Sequence, residues 1–195
     1  MNELLFKIAF ILLWIAYIAI RAPFANKQNQ IKKIKTRNSG TEKILLALLG
    51  VGLMLIPLVW MVSPLLDDFN IGFPIEIRVM GVIIAVLSLI YFWKIHRALG
   101  TNWSPTLEIK ENHQLIKTGP YRRVRHPMYT QIWIWTIAQV FIVSNLYAGF
   151  SGIFAWAIVY FIRIPNEEKM MIENFGDAYK EYIKHTGKIV PKIKL

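Results

Sequence analysis

Apolar residues in this chain come in long blocks rather than in alternation, and polar residues are pushed into the intervals between the blocks. A hydrocarbon layer about 30 Å thick needs roughly 20 apolar residues for one helical crossing, with about 17 as the shortest useful length. Residues 4–20 meet that minimum with Lys7 as their single charge. Residues 44–66 carry no charged side chain over 23 positions. Residues 79–93 are also charge-free, and their apolar stretch extends back past Arg78 and Glu76 to Ile71. Residues 126–162 then run for 37 positions without Asp, Glu, Lys or Arg. That is too long for one span and suits two of about 17 residues, hinged at Ser144-Asn145. The pattern predicts an all-α integral membrane protein of one domain, 1–195. Its five transmembrane helices fall at about 4–20, 44–63, 75–97, 127–143 and 146–162, the last two forming a helical hairpin.

Composition agrees with the pattern. Hydrophobic residues make up 55% of the chain and charged residues only 18%, against about 25% in a typical soluble domain. Too little polar surface is present to cover a water-soluble particle of this size. The absence of Cys removes disulfides and thiolate metal sites. Lys and Arg exceed Asp and Glu by 23 to 12. In a soluble chain that excess would suggest nucleic acid; here it points to a membrane surface and no nucleic-acid partner. The first block is expected to remain a helix rather than serve as a signal peptide. Asn2-Glu3 is not a basic leader, and Arg21-Ala22-Pro23 is a poor cleavage site.

The positions of the charges predict topology. Segments 21–43, 94–125 and 163–195 hold seven Lys or Arg each, whereas 63–74 holds none and carries Asp67 and Asp68. The three basic segments are therefore expected on the cytoplasmic side, with the N-terminus outside, in the cell membrane of a prokaryote. Lys7 and Arg78, near span ends, are expected to snorkel toward head groups. The basic run 26–39 reads as a surface arm facing anionic lipid.

Two polar segments on that same face hold nearly all the residue types able to do chemistry. In 107–129, Leu107/Ile109 and Leu115/Ile116 read as short extended arms around a turn, followed by the Gly119-Pro120 turn. Pro127 suits the first position of the fourth span, where its missing N–H is no loss. His126 and Tyr129, three apart, can project to one point. In 163–168, Pro165 is expected to interrupt or restart the helix, while Arg163 and Glu167 stay about one turn apart. Residues 169–184 carry apolar side chains at spacings of three and four, as in an amphipathic helix lying on the membrane or over a pocket. Neither a nucleotide-binding Gly-rich loop, a paired-His metal motif nor a nucleophile elbow is present, and no metal is expected.

Gly119-Pro120-Tyr121, Arg125-His126-Pro127-Met128-Tyr129, and Arg163-Ile164-Pro165-Asn166-Glu167-Glu168 stand together with Phe175-Gly176-Asp177-Ala178-Tyr179 and Tyr182. This combination resembles the isoprenylcysteine carboxyl methyltransferase family of integral membrane enzymes, in particular its small five-span archaeal members. The resemblance runs along the whole chain and is sharpest over 102–195, the implied catalytic region. It implies a methyltransferase that uses S-adenosylmethionine, yielding S-adenosylhomocysteine, without a Rossmann domain. The cofactor pocket would face the cytoplasm, closed by the connecting segment and the C-terminal amphipathic helix.

Carried over residue by residue, Glu108, His113, Gln114, Leu115 and Ile116 would line the adenosine end of the cofactor. Tyr121, His126, Pro127, Met128 and Tyr129 would surround its ribose and amino-acid end. Glu167 and Glu168 would contact the cofactor, Glu167 also acting catalytically, and Arg163 would hold the acceptor. The implied acceptor is a prenylated cysteine carboxylate or a similar lipid-borne acid. Two other readings stay open on the residues alone: methylation of a phospholipid amine such as phosphatidylethanolamine, and a non-enzymatic lipid-binding membrane protein.

Overall fold

The computed structural model describes residues 2–28, 33–36, 39–100, 108–110 and 114–192, with backbone alone at 2, 26–28, 33–36, 39 and 108–110. The chain is built almost wholly of helices. α1 is Asn2–Gln28; α2, Ser39–Gly50, runs through a π-helical turn, Val51–Leu55, straight into α3, Ile56–Val62. α4 is Ile75–Leu99, α5 Pro127–Val143, α6 Leu146–Phe175 and α7 Asp177–His185. Short 3₁₀ turns at Pro64–Phe69 and Gly119–Arg122 join these rods.

Four helical stretches among the described residues are long and apolar enough to cross a membrane: Glu3–Ala25, Gly40–Val62, Ile75–Leu99 and Leu146–Phe175. The fifth expected span, α5, is not among these four. α5 starts and ends where the pattern places it, but its 17 residues rise only about 25 Å. It is packed between α4 and α6, and Tyr129, Gln131, Trp135, Ala138, Gln139, Val140, Ile142 and Val143 are buried. An apolar run reads the same whether lipid or other helices surround it; the neighbours decide which.

Close helix crossings hold this bundle, as expected where lipid gives no hydrophobic drive for helices to associate. A Cβ added to Gly81 of α4 would lie 2.7 Å from Cβ of Phe141 and 3.0 Å from the Ile142 nitrogen on α5. At the π-turn, a Cβ on Gly52 would fall 2.5 Å from Cβ of Ala155 on α6. The Gly52 carbonyl accepts the Ser151 hydroxyl at 2.7 Å and the Gln139 side-chain amide at 3.3 Å. Polar side chains of α5 and α6 therefore tie these helices to the π-turn where the backbones come closest.

The end of the bundle away from the basic segments is also fixed by hydrogen bonds. Ser144 takes a left-handed conformation, φ 51°, and Asn145 caps α6 by accepting from the Tyr147 and Ala148 N–H groups. The same Asn145 amide donates to the Leu66 carbonyl at 2.6 Å and to Asn70 Oδ1 at 3.0 Å. The expected snorkelling of Arg78 is overturned. Only 4% exposed, it donates twice to the Ile142 carbonyl, pairs with Glu3 and sits 4.0 Å over the Phe6 ring. At one turn inside α4, the guanidinium turns inward to a carbonyl and a carboxylate.

Two further expectations change. Pro165 does not interrupt α6, which continues to Phe175. The Asn166 side chain also donates to the Ile162 carbonyl at 2.8 Å. The amphipathic run 169–184 is not one helix, because Gly176, with φ +53°, ends α6 and opens α7. The first of the arms expected in 107–116 is found as a strand. β2, Glu108–Lys110, pairs antiparallel with β1, Lys33–Thr36, so the basic arm is also a strand partner of the connecting segment.

The α4–α5 crossing yields a first prediction. Gly81→Leu should cost about 1–3 kcal/mol through overpacking, seen as a lower thermal midpoint in detergent. Gly50→Ala, at an open helical position, should be neutral or slightly stabilising.

Candidate active site

Consecutive carboxylates on an unbroken helix point about 100° apart, so Glu167 and Glu168 can reach around one object between them. That object is the His126 ring. Its Nδ1 lies 3.4 Å from Glu167 Oε1 and its Nε2 3.1 Å from Glu168 Oε1. An imidazole facing a carboxylate at each nitrogen favours the doubly protonated form, in which both nitrogens donate. Burial alone would pull the His126 pKa down, but hydrogen bonds to Glu167 and Glu168 outweigh it, and the value is raised above 6.5.

The surrounding shell continues this pairing of charges. The Tyr129 hydroxyl donates to Glu167 Oε2. Arg125 Nε donates to Glu168 at 2.9 Å, and its Nη1 to the Thr186 carbonyl at 2.6 Å. Lys188 Nζ lies 3.9 Å from the other oxygen of Glu168. Arg163, one turn before Glu167, has Nη2 3.4 Å from Glu42 Oε2. Glu42 is itself buried, 3% exposed, in the first turn of α2.

The residues after α7 hold this arrangement in register by backbone contacts. Arg125 and His126 N–H groups donate to the Gly187 and Lys188 carbonyls, both at 2.9 Å, and the Gly187 N–H donates back to Arg123 at 3.0 Å. The Thr130 hydroxyl donates to the Ile189 carbonyl at 2.6 Å. α7 is fastened to the same segment, since the buried Tyr182 hydroxyl donates to the Tyr121 carbonyl at 2.5 Å. Tyr121 is buried, and burial followed by the nearby Glu167 carboxylate keeps its phenol neutral.

An aromatic column leads away from the charged cluster. Tyr129 lies 5.2 Å from Trp156 and 6.2 Å from Tyr160, and Trp133 lies 5.7 Å from Tyr160. Tyr160 in turn is 5.1 Å from Phe161, which is 71% exposed on the outer face of α6. Leu45 of α2 packs against the buried part of this column with Val159 and Ile164.

Of the residues singled out from sequence, Tyr121, His126, Pro127, Tyr129, Glu167 and Glu168 meet at this end of α5 and α6, with Arg163 one turn away. Met128 is half-buried on the first turn of α5. Gln114 is exposed and Leu115 and Ile116 half-buried, just before Lys117, whose ammonium reaches the Ala178 carbonyl of α7 at 3.5 Å. Glu108 is placed only as backbone of β2, and His113 lies outside the described residues. Sequence reasoning missed Glu42, the ion-pair role of Arg125, and the 186–189 strap. Glu42 did carry a signal, as the only acidic residue in the basic segment 21–43. The strap carried none, because its bonds come from backbone atoms.

Residues 79–173 match the family model of the isoprenylcysteine carboxyl methyltransferase family. Among curated proteins, the protein-S-isoprenylcysteine O-methyltransferase of Dictyostelium discoideum is 29% identical over 138 residues, 69% of this chain and 55% of that protein. The enzyme of the same name from Schizosaccharomyces pombe is 31% identical over 48% of this chain and 41% of its own length, and the human one 31% over 49% and 34%. The chain thus spans about half or less of the curated relatives it matches. A solved structure of the eukaryotic intramembrane Ras methyltransferase (isoprenylcysteine carboxyl methyltransferase) aligns over 95% of this chain and 68% of its own, with a TM-score of 0.55. At 20% identity that likeness speaks for the fold.

The charge cluster predicts a pH dependence with a definite sign. The folded pKa of His126 lies above its ordinary 6.5, so its stabilisation is complete below about pH 6.5 and is lost as pH rises through the folded value. The difference in thermal stability between the cofactor-free protein and His126→Gln should therefore be constant below about pH 6.5 and shrink as pH rises above it. A gap that widened would contradict the imidazolium arrangement.

Proposed function

Because residues 79–173 match the isoprenylcysteine carboxyl methyltransferase family model, we propose that this chain methylates the carboxylate of a prenylated cysteine, or of a similar isoprenoid-lipid acid, at a membrane face. The observation that carries this reading is a nearly buried guanidinium, Arg163, set beside the Tyr129–Glu167–His126–Glu168 cluster at the inner end of an aromatic column. A planar guanidinium matches a carboxylate in shape and charge. The column runs to the exposed Phe161 of α6, on a helix with the length and composition of a membrane span. It would let an apolar tail enter sideways while its acidic head reaches Arg163.

The donor set also fits S-adenosylmethionine. That molecule carries an ammonium and a sulfonium, and Glu167, Glu168 and the Tyr129 and Tyr160 rings are groups that attract cations. In this reading Glu167 and Glu168 hold the ammonium, with Tyr121, His126, Pro127, Met128 and Tyr129 around the ribose and amino-acid end. Glu108, His113, Gln114, Leu115 and Ile116 wall the adenosine. When bound, the cofactor supplies a methyl group on a positively charged sulfur, ready for in-line displacement.

The chain's own work is then mostly positioning. An acceptor carboxylic acid, with an ordinary pKa near 3.5, is already ionised at neutral pH and needs no base. Arg163 orients it, Glu167 fixes the cofactor end, and His126 holds Glu167 and Glu168 in place. α7 and the 186–189 strap cover the site and keep water away. A phospholipid amine fits less well, because its ammonium must lose a proton first and would meet Arg163 as a like charge. We place the site on the cytoplasmic side, where the three basic segments gather, with the N-terminus opposite.

Transfer of labelled methyl to a panel of prenylcysteines, isoprenoid acids and phospholipids tests the reading. Label should appear in the acids. Arg163→Ala should reduce transfer at least 100-fold, a scale typical of losing a positioned charge, while leaving cofactor affinity within a few-fold. His126→Ala and Tyr129→Phe should instead weaken cofactor binding, measured by calorimetry in detergent. Equal loss of binding and turnover in Arg163→Ala would remove it from the acceptor side.

A further inference from the structure

The basic segment 21–43 contains one acid, Glu42, and the fold buries it against the one guanidinium that the proposed reaction assigns to its acceptor. Glu42 opens α2. One turn on, Leu45 packs with Tyr129, Trp156, Val159 and Ile164, so this end of α2 is a wall of the site. The side chains of Glu42 and Arg163 are 4% and 12% exposed. A carboxylate so placed is chemically the same group as the acceptor's head.

We propose that Glu42 is a specificity-determining residue: a resident carboxylate that occupies Arg163 in place of stray lipid anions and yields it only to an acceptor with a well-fitting tail. The inference rests on the reading of Arg163 as the acceptor's cation. A membrane presents phosphate and fatty-acid carboxylate groups at high local concentration, and an unshielded guanidinium at the end of an apolar column would collect them. A competing carboxylate attached to the same chain acts at a high effective concentration, and the entering anion has to displace it.

The N···O separation of 3.4 Å exceeds the 2.7–2.9 Å usual for a charge-assisted hydrogen bond. Separating a buried pair leaves a charge uncompensated, which sets a threshold for entry. An acceptor crosses it through contacts of its tail along Tyr160, Trp133 and Trp156. Binding energy from a remote part of the substrate is thereby used to expose the group that orients the reacting end. After transfer the acceptor is a neutral ester, and Glu42 can retake Arg163 without competition, which favours release.

A purely structural role predicts the opposite sign for loss of the carboxylate, and this makes the inference testable. The probe is 11-bromoundecanoate, which carries a carboxylate and a short apolar chain. Its bromine would quench Trp133 and Trp156 in the column. Titrated into the full-length protein in detergent, Glu42→Gln should bind the probe about tenfold or more tightly than wild type, as expected when an internal competitor is removed. Glu42→Asp, which keeps the charge but draws it back, should fall between. Arg163→Gln should bind poorly with or without the Glu42 change.

Equal or weaker binding by Glu42→Gln with an unchanged circular dichroism spectrum would overturn the proposal. If that variant does not fold, Glu42→Asp decides on the same terms. Loss of binding in Arg163→Gln without a gain in the Glu42 variants would overturn the role of Glu42 alone. Wild-type affinity in Arg163→Gln would overturn the assignment of Arg163 to the acceptor, and this inference with it.

Discussion

Charge matching in a poorly solvated place is the constraint on which the rest of this structure hangs. Glu167 and Glu168 leave the same helix side by side, where their mutual repulsion would be severe without a cation between them. His126 supplies that cation with one nitrogen for each carboxylate, and Arg125 completes the far side of Glu168. Everything that fixes His126 and Arg125 therefore also fixes the carboxylates. This explains why the start of α5 is bonded to the strap after α7 through successive backbone N–H groups.

The same constraint reads across to α2. Arg163 is placed on the site face of α6 by its distance of one turn from Glu167, and it brings a charge that must also be met. Glu42 meets it from a helix more than 100 residues earlier in the chain. The π-turn at Val51–Leu55 and the close contact of Gly52 with Ala155 set how α2 and α3 lie against α6. A crossing formed by glycine and a half-buried hydroxyl thus helps decide whether a carboxylate reaches a guanidinium two turns or more away. At the other end, Asn145, Ser144 and Arg78 do the equivalent work for α4 and the α5–α6 turn.

Membrane character and chemistry share one surface as a consequence. Tyr129 belongs both to the charged cluster, through its hydroxyl, and to the aromatic column, through its ring. It is the point at which a polar pocket and an apolar route meet. A site of this kind suits reactants that arrive from different phases, one from water and one from lipid.

Much of the fold was legible in the sequence, since long charge-free runs can only be membrane spans or deeply buried helices, and the limits 127 and 143 of α5 follow from Pro127 and the Ser144-Asn145 turn. The grouping of His126, Tyr129, Arg163 and Glu167 was also legible, because spacings of three and four place side chains on one helical face. Three-dimensional packing decided the rest. Whether α5 faces lipid depends on its neighbours and not on its own composition. Whether Pro165 breaks α6 depends on what the helix packs against on either side of it, where Ile164 and Met170 are buried. The partner of Arg163 and the clamp on His126 come from residues far away in sequence, joined by backbone atoms or by one isolated acid. Local periodicity reports which face a residue occupies; only the tertiary structure reports what stands opposite that face.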